Sequence, residues 1–424
     1  MASETTTTVQ KVLKYFHGPK MAEAVPDKVF FLKTAQDRSD LVRWGGRDAT
    51  MLFPVNTKLG WGTGAHSEGG DFGTPRAKGY DEYSVGITRL DVDGEISDQL
   101  IKLTRSRPEL SYIGSALEDK MDDLMKVARK LLGILIFGDG TGALCQVTTT
   151  PGAITATQFY VDNPGGEHLE EGMFISARDD RTVGGSSAEQ LTAGAQEILG
   201  LSYDPATGYW LVTITDTTSL ANDDDIFLVG HYGKAHPMGI WGHVDDGTQV
   251  ATYQGLTRAA KSYTKAHMVT TTEDLSESVL YQVFRILAQF APANDTADVV
   301  LTDNRSLESL ANSVLDRQRF EGTDVTGGFT TVKYATPWGT KKIVNDPLAP
   351  AGRIRCLRMA DFAFGWAGKK GGQWFDEDGD VLKPKVSSTS GTGYAAAWVM
   401  TWLMYVQFVC SNPRNQADLT GYGY

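Results

Sequence analysis

Apolar residues recur at helical spacing over one long stretch. Leu117, Met121, Leu124, Met125, Ala128, Leu131, Leu132 and Leu135 fall at three- and four-residue steps and predict an amphipathic helix. Ser115-Ala-Leu-Glu118 reads as a capping box that opens it. Phe137-Gly138-Asp139-Gly140-Thr141-Gly142 reads as a sharp exit. A long helix with a single apolar stripe needs a long surface to lie against. Tyr80 to Leu103 alternate instead. Tyr83, Val85, Ile87 and Arg89 share one predicted strand face, and Ser84, Gly86, Thr88 and Leu90 share the other. Asp91-Val92-Asp93-Gly94-Glu95 is the predicted turn of this hairpin. Residues 60–110 are too polar and Gly-rich to bury a core, so an exposed arm is expected there. Residues 1–59 carry short apolar patches, Phe30-Phe31-Leu32 and Met51 to Val55, between polar stretches. Such a segment gains order by lying across something else.

Helical patterning nearly vanishes over residues 146–246. Short Val/Ile/Thr/Phe runs alternate with turn clusters, as at Gln158–Val161, Met173–Ala177, Tyr209–Thr215 and Ile226–Val229. This predicts a separate all-β insertion, a small barrel. Mixed α/β patterning returns after Trp241. Glu273 and Asp274 are placed in the first turn of a helix whose stripe is Val279, Leu280, Val283, Phe284, Ile286, Leu287 and Phe290. Val299-Val300-Leu301 is a predicted buried strand, and Ser306 precedes a further helix. Predicted strands follow at Phe329–Ala335, Lys342–Asn345, Arg353–Met359 and Gln373–Phe375. The apolar run Tyr394 to Cys410 is too short for a usual membrane span, and its Trp residues lie mid-run, so a long buried strand is expected.

Composition narrows the function. The chain has 424 residues, 41% of them hydrophobic and 22% charged, with a net charge of −12. This argues against a nucleic-acid reader, which shows a basic face, though an acidic wall can still enclose a polyanion. Cys145, Cys356 and Cys410 have no zinc spacing and are expected as buried thiols. The Thr-rich Met1–Gln10 tract is not expected to act as a signal peptide. His231, His236 and His243 cluster, but at a spacing that fits no zinc finger or helical site, which favours ordinary loop histidines. Asp376-Glu377-Asp378-Gly379-Asp380 lacks the sixth-position Gly and twelfth-position Glu of a calcium loop and reads as a polar turn. No catalytic, cofactor-binding or metal-binding residue is assigned. The residues singled out are charges for contacts between subunits: Lys78, Arg89, Lys102, Arg105 and Arg107, set against Asp91, Asp93 and Glu95 at the tip of the arm.

The order of these elements resembles the major capsid protein of tailed double-stranded DNA bacteriophages, whose fold is shared with encapsulins and the herpesvirus capsid floor. Arg129-Lys130-Leu131-Leu132 leading to Phe137–Gly142 is similar to a spine-helix exit. Leu301-Thr302-Asp303-Asn304 before a helix, and Trp338-Gly339-Thr340 before a strand, are similar to the axial domain. The resemblance implies an α+β capsid fold: an N-terminal arm (1–59), an extended β-hairpin loop (60–110), a spine helix opening the peripheral domain (111–145), an inserted all-β barrel-like domain (146–246), a helical connection (247–298), an axial domain (299–372) and closing peripheral strands (373–424). It implies a structural subunit, not an enzyme. Hexamers and pentamers would close into an icosahedral shell around double-stranded DNA, without sequence-specific binding and without a membrane. A separate scaffolding protein, a portal and a decoration protein are the partners expected. The virion capsid, assembled in the host cytoplasm, is the expected location. An encapsulin-like nanocompartment, or an enzyme with a β-rich accessory domain, remain the alternatives.

Overall fold

The computed structural model describes residues 36–37, 48–54, 80–98 and 111–423, with breaks at 151, 162–165, 192–193, 205–207, 218, 291–295, 315–323, 327–328, 347, 368–371, 377–382 and 387–393. The fold is mixed α+β. Among the described residues its α-helices are α1 (Ser111–Leu135), α2 (Ile240–His243), α3 (Glu277–Phe290) and α4 (Asn304–Val314), set among three large sheets.

The apolar run at the C-terminal end forms one strand, Tyr394–Cys410, the axis of a six-stranded sheet. Along one edge it pairs antiparallel with Thr88–Ser97, from Ala397 opposite Ser97 to Val406 opposite Thr88. Along the other edge lie Lys383–Val386, Gln373–Trp374 and Phe362–Trp366 in series. Side chains of both strands alternate between faces. Leu90, Val92, Ile96, Met400, Trp402 and Met404 point inward, where α1 covers them with Met121, Leu124, Ala128, Leu131, Leu132 and Leu135. The helix crosses the sheet at Gly94, where a Cβ would sit 2.8 Å from Leu124 Cδ1. A side chain there would have to displace the Leu124 side chain.

A seven-stranded mixed sheet runs in the order His267–Thr270, Ala417–Thr420, Arg353–Leu357, Val299–Thr302, Gly339–Asn345, Phe329–Thr336, Asp324–Thr326. Val279, Leu280, Val283, Phe284 and Leu287 of α3, with Leu310 of α4, pack on Val300, Ile343, Ile354 and Cys356. The opposite face, Val299, Leu301, Val344 and Leu357, joins the core under α1. Covered on both sides, Val299–Thr302 is buried at every residue, as its continuous apolar sequence requires.

The third sheet packs around Val147, Phe159, Val161, Ile175, Ala177, Val212, Ile214 and Ile226, a core that Ile134 of α1 also enters. Its seven strands lie between Ala143 and Leu228. The two edge strands, Gln196–Glu197 and Gly200–Tyr203, are separated in sequence only by Ile198 and Leu199. Two residues span only about 7 Å, so the sheet rolls until its edges meet.

Several local expectations are corrected. Asp91–Glu95 is not a turn. It is the middle of an unbroken strand whose acids step outward between Leu90, Val92 and Ile96. Its partner lies about 300 residues away, so no local pattern could supply it. The strand Tyr80–Gly86 pairs with Asp48–Pro54 instead. The chain changes register at Ile87, so Arg89 is exposed and does not share a face with the buried Val85. Helix α1 begins at Ser111, ahead of Ser115–Glu118. Glu273 and Asp274 precede α3, which starts at Glu277. Helix α4 starts at Asn304, and Asp303, not Ser306, caps it: Asp303 Oδ2 accepts from the Arg305 and Ser306 amides at 3.0 and 3.2 Å.

Candidate functional site

Of the charges singled out for subunit contacts, Lys78, Lys102, Arg105 and Arg107 lie outside the described residues. Arg89, Asp91, Asp93 and Glu95 are brought into one row on the outer face of the strand Thr88–Ser97. Asp93 Oδ1 accepts from Thr401 Oγ1 at 2.5 Å, and Glu95 Oε2 pairs with Lys385 Nζ at 2.5 Å. Each of these bonds ties the strand to its sheet. Half-exposed pairs of this kind contribute little stability individually. The row is a charged surface on the body of the molecule, not the tip of an arm. At one end, Arg89 and Asp91 border a groove of about 260 Å³ whose far wall is Val229, Gly230, His231, Lys234, Ala235 and His236.

That wall belongs to the neck of the β insertion. The chain leaves α1 through Ile136–Gly142 and returns through His236–Gly242, and the two segments touch along their backbones. The amides of His236, Ile240 and Gly242 donate to the carbonyls of Gly140, Ile136 and Gly138 at 3.0, 2.6 and 3.3 Å. Glycine makes this approach possible. A Cβ on Gly239 would lie 2.4 Å from Ile136 O, and one on Gly142, at φ +85°, 2.5 Å from the His236 ring. The glycine run after α1 was legible in the sequence as an exit. Its pairing with a segment about 100 residues later was not.

Arg181 braces the same neck from the insertion side. Its guanidinium pairs with Asp225, approaches Asp139 Oδ2 at 3.5 Å and lies 5.7 Å from the Trp241 ring centroid. Arg353 of the second sheet lies 5.1 Å from the same ring. Burial disfavours the Arg181 cation, but Asp225 and Asp139 outweigh it and hold the group above its ordinary value. Burial also lifts the Asp225 carboxyl, against the pull of Arg181.

The three clustered histidines do not converge. His243 is fully buried, 2.9 Å from Tyr253 Oη and 3.1 Å from Phe408 O, and burial pushes its pKa down to about 3. His231 and His236 hydrogen-bond to each other. Among the described residues, no group of three or more His, Cys, Asp or Glu side chains could hold a metal ion. Cys356 and Cys410 are buried, and burial lifts the Cys356 thiol to about 12, far from a reactive thiolate. One deeply buried charge is structural. Arg258 spends all five N–H donors inside the loop after α2: on Thr264 O, Asp245 Oδ2, Val250 O, Gly242 O and His243 O. Sequence reasoning missed this residue, since nothing in its neighbours marks a buried arginine. The chemistry displayed is therefore that of surfaces and braces, with no convergent acid, base or nucleophile among the described residues.

Residues 236–392 match the family model of the SU10 major capsid protein. No curated protein matches the chain in sequence. Among solved structures, the capsid of cyanophage A-1(L) is similar at 11% identity, over 95% of this chain and 92% of that one, with a TM-score of 0.47. The satellite phage P4 procapsid, which includes the size determination protein Sid, is similar at 10% identity over 100% and 98%, with a TM-score of 0.41. An encapsulin complex from Synechococcus elongatus is similar at 8% identity over 81% and 78%, with a TM-score of 0.38.

Proposed function

We propose that the chain is a major capsid protein of the tailed-phage kind, a structural shell subunit and not an enzyme, whose copies assemble as hexamers and pentamers into an icosahedral shell enclosing double-stranded DNA. The family match over residues 236–392 carries this reading. The arrangement of α1 across the long paired strands Thr88–Ser97 and Tyr394–Cys410 agrees with it, as a spine helix on the peripheral sheet. In this reading residues 1–59 and the part of 60–110 ahead of Thr88 are the arm and loop that lie over neighbouring subunits, while Thr88–Ser97 is a strand of the body sheet. The sheet from Ala143 to Leu228 is the insertion, and the sheet built around Val299–Thr302 is the axial domain. The outward row Arg89, Asp91, Asp93 and Glu95, with Lys78, Lys102, Arg105 and Arg107, sets the register between neighbours, because charge complementarity gives specificity more than affinity. A separate scaffolding protein, a portal and a decoration protein are its partners, and assembly takes place in the host cytoplasm. The acidic balance of −12 suits a wall that must not bind the packaged polyanion tightly.

The test is a chain lacking residues 60–79, which spares the core strand Thr88–Ser97, co-expressed with its scaffold and examined by electron microscopy. Loss of closed shells with the body still folded is the expected result. Normal shells from the deleted chain would overturn the role given to the loop.

A further inference from the structure

Three large apolar side chains stand exposed on one outward face of the β insertion. Phe174 is 55% exposed, Val229 48% and Leu199 58%. The sheet register makes them neighbours. Phe174 lies opposite Glu197 on one side, and on the other the Val229 amide donates to Phe174 O at 3.2 Å. Residues directly opposite each other in a sheet share a face, so Glu197, Phe174 and Val229 form one row across neighbouring strands. Leu199 follows Glu197 after the buried Ile198, which turns it to the same side. Farther along, this face is roofed. Ser176 and Phe227 are paired on it, yet both are buried, Phe227 against the Tyr232 ring with centroids 5.2 Å apart. The roof stops short of Phe174 and Val229.

Charge is ordered across the patch. On the Leu199 side stand Glu197 and Glu171, both exposed. Beyond Val229 lies the groove, whose walls carry Lys234 and Arg89, with Asp91 offsetting one of the two cations. The order is acidic, apolar, basic. A surface of that order complements itself: turned about a two-fold axis through its apolar middle, each acidic end meets the basic end of the other copy. We propose that this face pairs the insertions of two copies of the chain about a two-fold axis, with Phe174, Val229 and Leu199 closing at the centre and Glu197 and Glu171 of each copy facing Lys234 and Arg89 of the other. The buried apolar centre supplies the affinity and the charged ends the orientation. The insertion is also fixed to its own body away from the neck. His168 Nε2 lies 3.0 Å from Leu348 O, the Ala351 amide donates to Glu167 Oε1 at 3.3 Å, and Ile134 of α1 enters the barrel core. Pairing of two insertions therefore sets the angle between two bodies. The inference rests on the shell reading above and adds to it a contact made by neither arm nor loop.

A cross-link tests the two-fold directly, because a residue near such an axis lies beside its own copy. Cys145, Cys356 and Cys410 are buried, so a thiol reagent meets F174C first. Shells of full-length F174C, assembled with the scaffold and treated with a short bis-maleimide, should yield a covalent dimer, and native shells should not. F174T/V229T keeps β-branched residues on the strands and should leave the urea midpoint near native. Its yield of closed shells should fall at least about tenfold, since each copy loses two apolar side chains from the contact. E197K and K234E should each lower the yield, and E197K/K234E should recover it. Native yield from F174T/V229T, F174C shells without a dimer, or a double charge variant no better than the single ones would overturn the pairing and leave the shell reading intact. A native chain that closes no shells under any condition would overturn the shell reading, and the pairing with it.

Discussion

Replacing Gly239 by Ala puts a single methyl group where the two segments of the neck touch. Gly239 has φ −86°, a conformation that alanine adopts freely, so the effect is steric. The new Cβ would lie 2.4 Å from Ile136 O and 2.5 Å from Leu135 O. A carbon meets a carbonyl oxygen comfortably at about 3.3 Å or more, so the segments must part by nearly an ångström. Both oxygens are backbone at the end of α1, and no rotamer change relieves the overlap. Parting also stretches the Ile240-to-Ile136 and Gly242-to-Gly138 hydrogen bonds, each contributing about 1 kcal/mol net. With an overpacking cost of about 1–3 kcal/mol, G239A should destabilise the chain by about 3–5 kcal/mol. Urea unfolding followed by tryptophan fluorescence measures this, and Gly255→Ala is the control. Gly255 has φ +87° but nothing within 4 Å of its Cβ, so only a backbone cost of about 1 kcal/mol applies there. If G239A costs no more than the control, the neck is not closed by backbone contact and the brace described here is wrong.

Arg258→Met keeps much of the side chain's bulk but leaves Asp245 buried without its cation. A loss of about 3–5 kcal/mol is expected in thermal or urea unfolding, and Arg258→Lys should restore little, because one ammonium cannot reach five acceptors. Acid should destabilise the fold before the carboxylates titrate. His243 is held neutral, with a folded pKa of about 3 against 6.5 when unfolded. Its contribution is fully present above 6.5, and it is lost as pH falls through the window down to 3, at up to about 1.4 kcal/mol per pH unit. His236 adds to this down to about 4. Urea midpoints measured from pH 8 to pH 4 should be flat above pH 7 and fall below it, and H243Q should reduce the slope. A flat profile down to pH 5 would contradict the burial of these rings.

Elements whose partners are internal to their own period could be read directly. The stripe of α1, the stripe of α3 up to Leu287 and the 17-residue strand Tyr394–Cys410 stand where their apolar residues indicate, while Phe290, read as part of the α3 stripe, is exposed. The all-β character between Ala143 and Leu228 followed from short β-branched runs separated by turn residues. What could not be read was pairing at long range. Asp91-Val92-Asp93-Gly94-Glu95 has the composition of a turn, yet the strand opposite it supplies a ladder that makes it continuous. Capping signals misplaced three helix starts by a few residues, because motifs such as Ser115–Glu118 also occur inside helices. The candidate charges were half legible. Their exposure was expected of a turn that the structure replaces with a strand, and their place on the body, beside a groove and a neck, depended on contacts between residues about 100 to 300 apart in sequence.

The central claim, that this chain is a shell subunit, meets its most direct test in electron microscopy and light scattering of the purified chain, alone and co-expressed with its scaffold. Closed shells, or rings of six and five copies, are the predicted result, with double-stranded DNA inside particles recovered from infected cells. A uniform monomer or dimer under every one of these conditions, at high concentration and with the scaffold present, would contradict it.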